Sequence, residues 1–136
     1  MIESLGTFFQ IAIPAGAGIY SLSIKDREGT GFLLTTVILN QIAIETLKKI
    51  IPSTRPNGLH GSFPSGHTTA AFSGAFYLIM RYGFRKMPIA IALATIGSLG
   101  VGLSRIVTRW HWPVDVVGGI FLSFLTSFII KKQENH

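Results

Sequence analysis

Three short clusters of cationic and imidazole side chains stand out in this chain. Lys48 is followed, after six residues, by Arg55-Pro56. Pro64-Ser65-Gly66-His67 comes next, and Ser104-Arg105 is followed, after five residues, by His111 and, after three more, by Asp115. This set suits phosphoryl transfer. A phosphoryl group in flight spreads negative charge over three equatorial oxygens, and catalysis then needs fixed positive donors aimed at them. Lys48, Arg55 and Arg105 supply three cations, and each guanidinium can grip two oxygens in a planar fork. Ser65 and Gly66 stand where a turn enters an apolar run, so backbone N–H groups at a helix start would add an anion site there. Gly66 also permits close approach of the chain to the phosphate. His111 is the expected nucleophile. Asp115, four residues on, shares its face if a helix begins near Pro113 or earlier. A carboxylate on one ring nitrogen fixes the tautomer and leaves the other free to attack phosphorus, giving a phosphohistidine. His67 then protonates the leaving oxygen and later activates the water that releases phosphate.

The same residues carry a family resemblance. Lys-x6-Arg-Pro, Pro-Ser-Gly-His and Ser-Arg-x5-His-x3-Asp stand complete and in order, each at the end of an apolar run. In this the chain resembles the type 2 phosphatidic acid phosphatases (PAP2), integral-membrane enzymes that share their pocket with vanadium haloperoxidases. A four-residue string such as Pro-Ser-Gly-His arises by chance in roughly one of a thousand chains this long, so three such motifs together are a specific signal. The resemblance covers residues 48–119, about half the chain. It implies the same roles for the same residues: His111, His67 and Asp115 as catalytic, and Lys48, Arg55, Ser65, Gly66 and Arg105 as phosphate-binding. It also implies a metal-independent reaction. Asp115 is the only acid in the three motifs, and no His-x3-His or Asp cluster with ligand spacing occurs. No metal and no other cofactor is therefore expected.

The elements that must position these residues are apolar. Of 136 residues, 48% are hydrophobic and only 13% charged, against about 25% charged in a soluble domain. Five runs can be marked, at 5–24, 31–47, 68–80, 88–103 and 114–130. A helix needs about 20 apolar residues, with about 17 as a lower limit, to cross the hydrocarbon. The first, second and fifth runs meet that limit, the fourth is borderline and the third is short. None alternates like a strand, and in lipid only helices or closed barrels satisfy their backbone groups. Glycines and alanines within the runs would let helices approach closely. The expected fold is all-α: a polytopic bundle of about five transmembrane helices, forming a single membrane-embedded domain over residues 1–136.

Alternating spans put the connections 48–67 and 105–113 on one side with the N-terminus. Lys25, Arg27, Arg81, Arg85, Lys86, Lys131 and Lys132 fall on the other, which the excess of basic residues marks as cytoplasmic. The site then faces the periplasm or exterior of a bacterial inner membrane. The opening stretch lacks the basic n-region and small-residue cleavage site of a signal peptide. Bacterial members of the resembling family usually carry three spans ahead of the lysine motif, and two precede it here. The net charge of +6 sits in clusters between apolar runs, not on one polar and aromatic face, which argues against nucleic acid. There is no cysteine, hence no disulfide or thiol chemistry.

Other polar residues read more plainly. Lys49 and Arg109 suit interface anchors, Trp110 and Trp112 an aromatic belt with the lining of a lipid entrance as the alternative, and Pro56 and Pro64 a shaped loop. His60 reads as a solvated loop residue and His136 as a terminal residue outside the site. Glu45 is expected to pair with Lys48 or Lys49 and position them. Asn40 and Gln41 are expected to bond to a neighbouring helix. Head-group selectivity is expected from residues 57–63 and from side chains between the helices. Together these readings give a phosphatase acting on a phosphorylated lipid or lipid diphosphate. The alternatives are a lipid-to-lipid phosphotransferase with the same site, or a non-catalytic membrane protein that retains the pocket. A haloperoxidase is disfavoured, because the resembling haloperoxidases are soluble.

Overall fold

The computed structural model describes residues 1–134, so His136 lies outside the described residues. Five helices follow one another: α1 (Ile2–Ser23), α2 (Arg27–Ile50), α3 (Gly66–Arg81), α4 (Pro88–Val107) and α5 (Pro113–Glu134). Local signals set their ends. Asp26 caps α2 by accepting from the Gly29 N–H at 2.9 Å. Ser65 caps α3 through the Thr68 N–H. Pro88 and Pro113 open α4 and α5, where the missing N–H costs nothing.

Four of the helices, all but α3, are long and apolar enough to cross a membrane. α3 has 16 residues, roughly 24 Å at the helical rise. It can be short because it is the hub of the bundle, packed against all four other helices. Its Ala71, Ala75 and Tyr77 are fully buried. The outer helices turn their large side chains outward, among them Phe8, Leu34, Leu93 and Phe121. The inward positions are small: Ser21, Ser73, Ser98, Ser123 and Ser127 are all fully buried. Lipid tails are as apolar as leucine, so helix association relies on close packing and hydrogen bonds between such residues. Gly74 shows how close. A Cβ there would stand 2.8 Å from the backbone of Pro14 in α1. Asn40 of α2 donates to Ser73 Oγ of α3 at 2.8 Å, as expected of it. Gln41 departs from expectation: its side-chain amide donates to Glu45 of its own helix, because that face of α2 looks into a cavity.

The helices define two ends. At one, Arg81 at the close of α3 grips Asp26 with two bonds of 2.9 and 2.6 Å, while Tyr82 adds a third at 2.9 Å. Arg81 also reaches Glu134 of α5 at 3.4 Å. The Arg81 hydrogen bonds, with help from the Gly29 N–H and Tyr82 and against some burial, hold the Asp26 carboxyl down at about 2. A depressed carboxyl contributes stability that is full above its ordinary value and is lost as pH falls through about 2. Asp26→Asn is expected to cost about 1–3 kcal/mol. It would appear as a lower unfolding temperature in detergent with kcat unchanged, because the motif residues all lie at the other end.

Candidate active site

That other end gathers the close of α2, the start of α3, the close of α4 and the start of α5, as the alternating spans require. Each motif residue is brought there by a local device. Arg109 has φ +59°, a left-handed turn that sends the chain back beneath α4. The Arg105 carbonyl then accepts from both the Trp110 and His111 N–H groups, at 3.0 and 3.1 Å. The five-residue spacing thus sets Arg105 and His111 side by side. Asp115 lies in the first turn of α5 and reaches back to accept from the Trp112 N–H at 2.8 Å, a capping arrangement. The same carboxylate oxygen lies 3.4 Å from His111 Nδ1. That is longer than a formed N–H···O bond, and His111 Nδ1 is buried with no other partner.

One cavity of about 380 Å³ is lined by Lys48, Arg55, Gly66, His67, Arg105 and His111. Lys48 Nζ donates to the Gly61 carbonyl at 2.7 Å, and Arg55 Nη2 to the same oxygen at 3.3 Å. Arg55 also lies over the Trp110 ring, 5.3 Å from its centroid. Arg105 is buried and donates to the Glu3 carbonyl of α1 at 2.8 Å. α1 approaches closely enough for this because residue 6 is glycine: a Cβ there would collide with Ser104 Oγ and stand 2.6 Å from Arg105 Nη2. Burial, then the charge of Lys48, lowers the His111 imidazole to about 4 against the opposing pull of Asp115, with Arg55 lowering it further. The ring is therefore neutral at pH 7.

One expectation, for Glu45, needs correction. Ser65 has a structural role beside its expected one. Its N–H donates to the Asp115 carbonyl at 2.9 Å and its hydroxyl accepts from Thr68, so it is the cap that joins α3 to α5. The amides of Gly66 and His67, at the first two helical positions, are the ones left free by the helix. Glu45 makes no ion pair with Lys48 or Lys49 among the described residues; its partner is Gln41 at 3.2 Å. Of the two expected sources of selectivity, residues 57–63 do not line the cavity and side chains between helices do. That loop is tied down by Arg55–Leu59 and Ser53–Gly61 backbone bonds, and α1 and α2 supply the facing wall instead.

One residue was missed from sequence. Ser62 is fully buried and its hydroxyl donates to Asp115 Oδ2 in a short bond, while Ser53 Oγ accepts from the Ser62 and Phe63 N–H groups at 3.0 Å. A serine two residues before Pro64 carries no spacing signal of its own. Trp110, read as a belt residue, lines the cavity. Trp112 stays at the surface, half exposed, donating to the Thr54 carbonyl. His60 is exposed, as expected of a loop histidine.

The chain is 27% identical over 145 residues to the Lipid A 4'-phosphatase of Helicobacter pylori, covering 98% of this chain and 71% of that protein. It is 29% identical to Phosphatidylglycerophosphatase B of Bacillus subtilis, over 85% of this chain and 62% of that one. It is 35% identical to an Undecaprenyl-diphosphatase of Bacillus subtilis, over 57% of this chain and 37% of that one. The crystal structure of a transmembrane PAP2 type phosphatidylglycerolphosphate phosphatase from Bacillus subtilis shares the fold, with a TM-score of 0.75 at 24% identity, covering 98% of this chain and 73% of that chain. The family model of the PAP2 superfamily matches residues 29–136, and the chain belongs to that superfamily.

Proposed function

We propose that this protein is a metal-independent membrane phosphatase that hydrolyses a lipid phosphate or lipid diphosphate through a phosphohistidine. The observation that carries the reading is the single cavity onto which Lys48, Arg55, Arg105, His67 and His111 all open. With Nδ1 turned to Asp115, the other ring nitrogen of His111 attacks phosphorus. The bond from phosphorus to the lipid oxygen breaks, and His67 gives that oxygen its proton. Water then attacks the phosphohistidine, His67 takes the water's proton, and phosphate leaves. The three cations and the Gly66 and His67 amides stabilise the charge that builds on the equatorial oxygens. The relatives' names, all lipid phosphatases, support the substrate class. The seven basic residues at the opposite end support an outward-facing site in a bacterial inner membrane.

The test is phosphate release by the detergent-purified protein from phosphatidic acid, phosphatidylglycerol phosphate, undecaprenyl diphosphate and lipid A in EDTA. No release from any of them would overturn the proposal.

Ser62 has a place in this scheme. Its hydroxyl holds the Asp115 carboxylate, which in turn orients His111. Ser62→Ala is expected to lower kcat roughly tenfold with little change in KM, the loss of one hydrogen bond to a charged group. Steady-state kinetics on a released phosphate assay decides this. A rise in KM at constant kcat would show that Ser62 serves substrate binding instead.

A further inference from the structure

The cavity wall that faces the cations comes from two helices that the motifs do not include. On α1, Glu3, Thr7 and Gln10 recur at a spacing of four and three residues; on α2, Gln41, Glu45 and Lys48 do the same. All six line the cavity. Both stripes run along helices whose other faces carry exposed Leu, Ile and Phe. Gln41 lies seven residues below Lys48, roughly 10 Å deeper along the helix axis, and Gln10 lies as far down α1. Polar and acidic residues at such depth are costly in lipid and mark a substrate path or cavity.

Acceptors predominate on the wall, with Lys48, the Thr7 hydroxyl and the Gln10 NH2 as its donors. The Glu3 and Glu45 carboxylates are acceptors only when ionised. Gln41 lines the cavity and its Nε2 is engaged with Glu45, which leaves its carbonyl oxygen as a further acceptor. The Gln10 amide has no side-chain partner among the described residues and is half-buried. A ligand that donates hydrogen bonds beside its phosphate therefore suits the wall. The glycerol diester of phosphatidic acid and the chain of a polyprenyl phosphate offer no donors there. A second phosphate would meet two carboxylates, which like charge disfavours. Hydroxyl and amide N–H groups on a sugar ring match the wall.

Resting on the phosphatase reading above, we infer that the α1–α2 stripes form a head-group site selecting a phosphomonoester on a hydroxyl-rich, glycosyl-type lipid. The full-length protein in detergent is to be assayed with two lipids of matched acyl chains: a diacylated glucosamine 1-phosphate and phosphatidic acid. The readout is the ratio of their kcat/KM values. The wild type is expected to favour the sugar phosphate by roughly tenfold or more, the worth of one or two good hydrogen bonds. Gln10→Leu with Gln41→Leu is expected to bring that ratio close to one. Glu45→Gln, which alters charge without volume, is expected to lower it as well, and it answers the question should the double variant not fold. Phosphatidic acid turnover with no sugar preference in the wild type, or a ratio that none of these changes moves, overturns the inference and leaves the phosphatase reading standing. No turnover of either lipid overturns both.

Discussion

Alanine at position 111 is expected to reduce lipid phosphate release by at least about 10⁴-fold, on the scale seen when a nucleophile that works with a base is removed. Among the groups lining the cavity, His111 is the imidazole with a carboxylate set against one ring nitrogen. His67, at the start of α3, lines the same cavity but has no carboxylate beside it comparable to Asp115 at 3.4 Å from His111. Incubation with a radiolabelled lipid phosphate and rapid acid-free quenching should trap label on the wild-type protein and none on His111→Ala. In His67→Ala, the loss should be smaller, about 10²–10⁴-fold, because general acid–base assistance is removed while the nucleophile stays. Retained activity in His111→Ala would refute the mechanism.

The same residue predicts the pH profile. Burial holds the His111 imidazole at about 4 in the unliganded protein, whereas an exposed histidine titrates near 6.5. The nucleophile must be neutral, so protonation of His111 is expected to depress kcat/KM, which reports the free enzyme, only as pH falls toward about 4. A His111-dependent limb at 6.5 or above would contradict the buried, cation-flanked setting. The sign for stability follows from the proton count. Between about 6.5 and 4 the unfolded chain binds a proton at this position that the folded chain does not. Stability therefore falls as pH drops through that window.

Gly119→Ala is expected to lower kcat about 10²-fold and to cost about 1–3 kcal/mol of stability, through overpacking and displacement of the reacting groups. A Cβ at 119 would stand 2.8 Å from the Ser65 carbonyl oxygen and 3.0 Å from Thr69 Oγ1. The Ser65 carbonyl cannot swing aside, because it accepts from the Thr69 N–H at 3.0 Å and the Thr69 hydroxyl at 2.9 Å. α5 must move instead, and it carries Asp115 one turn earlier. The Asp115 carbonyl bonds to the Ser65 N–H, so the shift reaches the site directly. Gly100→Ala is the control: nothing lies within 4 Å of a Cβ there. Activity and detergent-phase unfolding measured on both variants separate close packing from helix propensity. Equal behaviour of the two would show that the α5–Ser65 approach is not limiting.

Much of this site could be read along the chain. Lys48, Arg55, His67, Arg105, His111 and Asp115 sit at helix ends with fixed spacing, and hydropathy marks the helices that carry them. Alternation of the spans then forces those ends together, which is why both the all-α bundle and the cationic pocket were legible. The misreading of Glu45 has a simple cause: it was paired with the lysines from nearness in sequence, yet its partner is Gln41. Ser62 reaches Asp115 across 53 residues, and Glu3 meets Arg105 across 102.

The linear order of residues determined which groups are available for chemistry, and that they occupy one end of a helical bundle. Only the tertiary structure decided that α1 and α2 form the far wall of the cavity, and that Gly6 and Gly119 set the approach of α1 and α5. The reason is physical. Hydrophobicity separates membrane from water but not one apolar helix face from another, because lipid and protein interior are alike to a leucine. Which faces meet is settled by small residues and buried hydrogen bonds, and these have meaning only once the helices are in contact.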